Sequence, residues 1–286
     1  MGLASQLLNS LLGRVGLRLQ RALKNGAGDT AAGQHYYKPA PTCQIPELAA
    51  LYSLYLGERS DGLFVEVGAF DGITFSNSSC LAEAGWSGIL IEPIPQFAER
   101  CRTRYRGNKR IQIVEAAVGA ESSTVEISVG GPYTSTSDQV MKRYASLEWS
   151  KEAVHGSTSL RVRQLTLDEI LCAASLAGRP IDVLIVDVEG AETVVFQGFS
   201  IDRWRPKIII AELSHTHPDL HDISCSHAVL QQNIVQSGYF VVYKDRINTV
   251  FVRAETHPRP PVRVLHPAEN PAGGGWASSS SKQAGT

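Results

Sequence analysis

The chain has 286 residues, a length that suits one α/β domain with appendages and at most two small domains. Its 27 Lys and Arg nearly cancel its 28 Asp and Glu, which argues against nucleic acid as a partner, because phosphate-backbone binding draws on a basic surplus. The five scattered cysteines lack CxxC spacing and read as buried or half-buried thiols in a reducing compartment, and the absence of an 18-residue apolar run excludes a membrane-spanning helix.

Residues 1–24 carry Arg14, Arg18, Arg21 and Lys24 with no acid, while Leu3, Leu7, Leu8, Leu11, Leu12, Val15 and Leu19 recur at helical spacing. This basic amphipathic helix suits peripheral membrane contact, self-association or an import presequence. A cytoplasmic location is expected, with the membrane face and organelle import both open. Residues 25–42, rich in Gly, Ala and Pro, read as a linker, and residues 266–286 as a disordered low-complexity tail. The folded body is thus expected over residues 43–265.

Within that body, buried strands are predicted at Leu63–Val67, Gly88–Ile91, Ile111–Val114, Val183–Val186, Ile208–Ala211, Tyr239–Tyr243 and Thr249–Val252. Helical stretches fall between many of them, at Asn77–Ala84, Gln96–Tyr105, Leu167–Ala174, Ala191–Phe196 and His227–Gln236. Alternation of this kind predicts an α/β fold, a doubly wound and mostly parallel seven-stranded sheet. The last two strands are separated only by KDRIN, too short for a parallel crossover, so the sheet is expected to end in an antiparallel hairpin.

In an open sheet, ligands sit beyond the carboxyl ends of the strands near the switch point. The turn EVGAFDG falls there, with Gly68 for close backbone approach, Gly72 for entry into the next helix, and acids at Glu66 and Asp71. This GxxxG turn between two acids is a poor phosphate cradle and lacks GxGxxG, which argues against a nicotinamide dehydrogenase. Some twenty residues on, Glu92 of ILIEP stands where an acid would grip ribose hydroxyls. A nucleoside bearing an amine and no phosphate suits both acids, and S-adenosyl-L-methionine is such a ligand.

A second acidic cluster closes the fourth and fifth strands. VLIVDVEGAE supplies Asp187, Glu189 and Glu192, and IIIAELSHTH supplies Glu212, His215 and His217. Such acids can act as general bases, bind substrate hydroxyls or hold a divalent metal, and a metal between Asp187 and Glu212 stays open without being adopted. His215 is the candidate base whose ordinary pKa lies nearest neutrality.

The segments FVEVGAFDGITFSNSSCLAEAGWSGILIEPIPQFAE, IVEAAVG, RQLTLDEIL, DVLIVDVEGAE and IIIAELSH together resemble the FkbM-type methyltransferase family, within the class I S-adenosylmethionine-dependent fold. The resemblance implies methyl transfer from S-adenosylmethionine to an oxygen, commonly a hydroxyl of a sugar or of a glycan or polyketide-like acceptor, so that a small-molecule or glycan partner is expected. It places Glu66, Gly68, Ala69 and Asp71 around the methionine part, with Gly72 and Pro93 counted in the same site. Glu92 would hold the ribose, Glu115 to Ala117 (Ala116 and Ala117 foremost) would lie near the adenine, and Asp187 and Glu189 would stand at the reaction centre. Many members carry Lys two residues before the Asp of this motif, where this chain has Ile185. Acceptors on nitrogen, on proteins or on lipids are the alternative, as is a non-catalytic scaffold that keeps the pocket. The segment Gly130 to Ser159 reads either as a sugar-binding lid or as a surface insertion.

Overall fold

The computed structural model describes residues 35–148, 150–154, 158–174 and 179–256. The N-terminal helix (1–24), most of the expected linker and the tail (266–286) lie outside the described residues. Strands β1 (Leu63–Val67), β2 (Ser87–Ile91), β3 (Ile111–Val114), β7 (Val183–Val186), β8 (Ile208–Glu212), β9 (Tyr239–Lys244) and β10 (Asn248–Arg253) form one seven-stranded sheet in the order β3-β2-β1-β7-β8-β10-β9. All pairs from β3 to β8 are parallel, and β10 runs antiparallel to both β8 and β9. The chain adds β2 and β3 on one side of β1, then returns to place β7 on the other. That reversal sets the switch point between β1 and β7.

The central strands are buried on both faces, which is why they read as continuous apolar runs. Val65, Ile89, Leu184, Val186 and Ile209 point to one face, where α6 (Leu167–Ala173), α7 (Glu192–Gln197), α8 (Ile201–Trp204) and α9 (Cys225–Gln236) bring Leu171, Val195, Trp204 and Ile234. Phe64, Leu90, Val183, Ile185 and Ile210 point to the other, against Tyr52 of α1 (Leu48–Leu56), Leu81 of α2 (Ser79–Glu83) and Cys101 of α3 (Pro95–Tyr105).

Four features depart from expectation. Tyr37, inside the stretch read as linker, is fully buried beside Tyr52 and Trp86, and its hydroxyl donates to Gly57 O at 2.7 Å. The ordered body therefore begins before Cys43. Helix α1 (LAALYSLYL) is apolar on most of its surface, so it lacks the stripe that marks an amphipathic helix. A second sheet, β4 (Ala117–Val118), β6 (Thr158–Leu165) and β5 (Ser123–Val129), forms in the order β4-β6-β5 and packs Ile127 and Val162 against Ile94 and Phe97. Its long strands alternate apolar and polar residues and bury one face only. Of the five thiols, all free, Cys172 and Cys225 are exposed rather than buried.

Candidate active site

The carboxyl ends of β1, β2 and β7 open into a cavity lined by Glu66, Gly68, Ala69, Phe70, Glu92, Pro93, Phe97, Ala116, Ala117, Asp187 and Glu189, among others. Gly68 makes this floor buildable. Its φ is +87°, and a Cβ there would stand 1.7 Å from the carbonyl oxygen of Asp187, so β1 and β7 close on each other at this point.

Glu66 is buried and accepts from Ser78 Oγ at 2.7 Å and from Ser76 Oγ at 3.2 Å. Burial pushes its pKa up to about 7 against the pull of those hydroxyls. Glu92 accepts from the backbone N–H of Phe70 and of Ile94, each at 2.9 Å, and burial likewise raises it to about 7. Phe70, at φ +48°, sets its ring edge-on to Phe97 with centroids 4.5 Å apart, an aromatic wall beside Glu92.

Asp71 and Gly72 do not line the cavity. The Asp71 carboxylate turns back on its own loop, accepting from Ile73 N, Thr74 N and Thr74 Oγ1. A short Asx residue meets these nearby donors first, so its role is to shape the turn. Gly72 faces α3, where a Cβ would meet Tyr105 at 3.0 Å. Glu115 is held outward by Arg102 at 2.7 Å, leaving Ala116 and Ala117 on the wall.

Asp187 and Glu189 line the cavity and Glu212 does not, yet carboxylate oxygens of all three lie within 4.8 Å of one another. Burial raises all three pKa values, and mutual repulsion adds to the shift at Glu189 and Glu212. None forms an ion pair with a described Lys, Arg or His. As hard oxygen donors they are the described residues that could ligate a divalent ion. As a proton-sharing group they could also take a proton from a bound hydroxyl.

His215 is not brought to this cluster's cavity. Its Nε2 stands 2.8 Å from Lys244 Nζ, and burial with that cation drives its pKa down to about 4, which makes it a poor base near neutrality. His217 is buried, with Nδ1 accepting from Asp219 N.

The insertion after β5 forms part of the cavity wall, so it is more than a surface loop. Gly131, Pro132, Thr134 and Thr136 line it. Ser137 caps helix α4 (Asp138–Ser146) by accepting from Val140 N at 3.3 Å. From there Tyr144 donates to Glu189 Oε2, and Ser135 Oγ donates to Glu189 O at 2.7 Å. A short helix, α5 (Lys151–Val154), follows. Phe70, Phe97, Thr134, Thr136 and Tyr144 were not singled out from the sequence. The one usable signal was the Ser, Thr and Tyr content of that insertion.

The doubly wound sheet and the acid-lined crevice at its switch point define a class I methyltransferase architecture. The profile of the methyltransferase FkbM domain matches residues 66–225, over half of the chain, and the chain belongs to this family. Among solved structures it is similar to the methyltransferase FkbM from Methylobacillus flagellatus KT, at 14% identity and TM-score 0.41 over 68% of this chain and 44% of that one. This chain thus spans less than half the length of that relative. It is also similar to the O-methyltransferase from Bacillus cereus in complex with SAH (12%, TM-score 0.43, 87% and 91% covered). A third is the O-methyltransferase TomG from Streptomyces achromogenes, involved in tomaymycin synthesis, in complex with SAM (13%, TM-score 0.42, 82% and 86% covered). No curated protein matches the sequence.

Proposed function

We propose that the protein transfers the methyl group of S-adenosylmethionine to a hydroxyl oxygen of a sugar or glycan. One observation carries the reading: a single cavity is lined by the buried acids Glu66 and Glu92 and by Asp187 and Glu189, whose carboxylates converge with that of Glu212 beside it. In this assignment Glu66 faces the amine-bearing methionine part, Glu92 accepts from the ribose hydroxyls, and Phe70, Phe97, Ala116 and Ala117 enclose the adenine.

Methyl transfer is an in-line displacement in which the acceptor oxygen bonds to the methyl carbon as the carbon–sulfur bond breaks. The sulfur keeps the bonding pair and leaves as S-adenosylhomocysteine. The cofactor supplies the reactivity, so the chain's work is alignment and exclusion of water. A sugar hydroxyl is a weak nucleophile, and its proton passes to the Asp187–Glu212 pair as the bond forms. Thr136 on the wall supplies a hydroxyl suited to a remaining oxygen of the acceptor, while the Thr134 hydroxyl donates to Gly131 O at 2.7 Å and holds the turn.

A second reading, transfer to an amine nitrogen, is favoured by the lack of any described cation paired with Asp187, Glu189 or Glu212, since a protonated amine would supply one. The test is methyl-tritiated S-adenosylmethionine with two panels, methyl glycosides and primary amines of matched size. Label on glycosides supports the proposal, and label on amines alone replaces it with the second reading.

A further inference from the structure

Behind the reaction end of the cavity lies a buried pair that does not line it. Glu192 is wholly inaccessible and His227 is 2% exposed, with His227 Nε2 3.0 Å from Glu192 Oε2. The remaining atoms of both side chains are taken by backbone. Glu192 Oε1 accepts from Val188 N at 3.0 Å and from Gly190 N at 3.3 Å. His227 Nδ1 accepts from Ser214 N at 3.2 Å, which leaves the ring proton on Nε2; Glu192 Oε2 accepts no hydrogen bond, so the 3.0 Å approach is a close polar contact between the two side chains.

These backbone bonds, together with the Glu192–His227 contact, join the two loops that present the acids. Val188 and Gly190 belong to the turn between Asp187 and Glu192, and Ser214 follows Glu212 by two residues. The turn does not hold its shape by backbone preference alone, because Glu189 sits at φ +52° and Gly190 at φ +93°. Packing from above adds a constraint: a Cβ on Gly190 would meet Val140 of α4 at 2.6 Å. Glu192 fastens the turn from below, and His227 carries that fastening from α7 to the segment after β8.

We propose that Glu192 and His227 are positioning residues for methyl transfer, forming a clamp that sets Asp187 and Glu189 against Glu212. The inference rests on the reading of those acids as the reaction centre. It assigns neither residue to the substrate. Losing the clamp frees each acid-bearing loop separately, while Glu66 and Glu92, on β1 and just after β2, keep the cofactor end intact.

The experiment compares wild type, His227→Leu and His227→Gln in the full chain, the glutamine retaining a side-chain N–H toward Glu192. Amide hydrogen exchange is followed over residues 187–190 and 213–216. Binding of S-adenosylmethionine and turnover with the methyl glycoside of highest activity are measured alongside. In His227→Leu both segments should exchange at least tenfold faster and kcat should fall at least tenfold. Affinity for S-adenosylmethionine and the acceptor KM should stay within threefold. His227→Gln should restore protection at 187–190 and recover kcat at least threefold, with 213–216 still fast. Unchanged exchange, a glutamine no better than leucine, or an equal loss of cofactor binding overturns the clamp. A wild type that binds no S-adenosylmethionine overturns the functional reading instead, and the exchange pattern still decides whether the loops are joined.

Discussion

The phenol of Tyr144 donates to Oε2 of Glu189, so the insertion, which also reaches the Glu189 carbonyl through Ser135, is tied by side chain to an acid of the carboxylate cluster. The bond favours the ionised form of Glu189, opposing the burial that raises its pKa. Tyr144→Phe keeps the ring that packs on Tyr133, 5.2 Å away between centroids, and removes the donor alone. Turnover is expected to fall about tenfold, near 1.4 kcal/mol of transition-state stabilisation, with thermal stability lower by about 1 kcal/mol. Steady-state kinetics and a melting curve on the one variant check both.

Gly68 and the carbonyl of Asp187 approach more closely than any side chain allows. Gly68→Ala should therefore push β1 and β7 apart, destabilising the fold by several kcal/mol and abolishing cofactor binding. Denaturant unfolding gives the first quantity and calorimetric titration the second.

Glu212→Gln separates stability from activity. It removes one of three crowded carboxylates that repel one another, so the melting temperature at pH 8 should hold or rise. Turnover should fall by about a hundredfold or more, the usual contribution of a general base. A variant that is both less stable and fully active would show that these acids serve the fold.

Glu66 and Glu92 give the fold a pH signature with a definite sign. Glu66 and Glu92 have folded pKa values raised to about 7, above the ordinary value near 4.5. Between those values the native state holds protons that the unfolded state has lost. Stability thus falls as pH rises from about 4.5 to 7, by on the order of 3 kcal/mol for each group, and levels off above. A cationic ligand favours the ionised carboxylates, so its binding should tighten over the same window and release protons. Chemical unfolding across pH, and titration in buffers of different ionisation enthalpy, read the two effects.

The sequence carried the main sheet because its strands are buried on both faces, and runs such as VLIV and IIIA admit few other readings. Half-buried strands such as STVEISV carry the alternation of a one-sided sheet, a weaker mark than a continuous apolar run. The placement of Glu66, Gly68, Glu92, Asp187 and Glu212 at or just beyond strand ends was legible, because apolar runs mark where each buried strand stops. Asp71 and His215 were not, since each meets a partner from its surroundings (Thr74 for one, Lys244 for the other) that spacing does not reveal. The His227 contact to Glu192 spans α9 and α7, and no local pattern announces a pairing made by the tertiary fold.

The central claim is that this cavity holds S-adenosylmethionine with Glu92 on its ribose. Calorimetric titration of wild type and Glu92→Ala, first with S-adenosylmethionine and then with NAD, tests it most directly. Binding of S-adenosylmethionine alone, weakened at least tenfold by the substitution, is the expected result. If wild type bound neither ligand, or if Glu92→Ala bound S-adenosylmethionine as tightly as wild type, the account of the cavity would be contradicted.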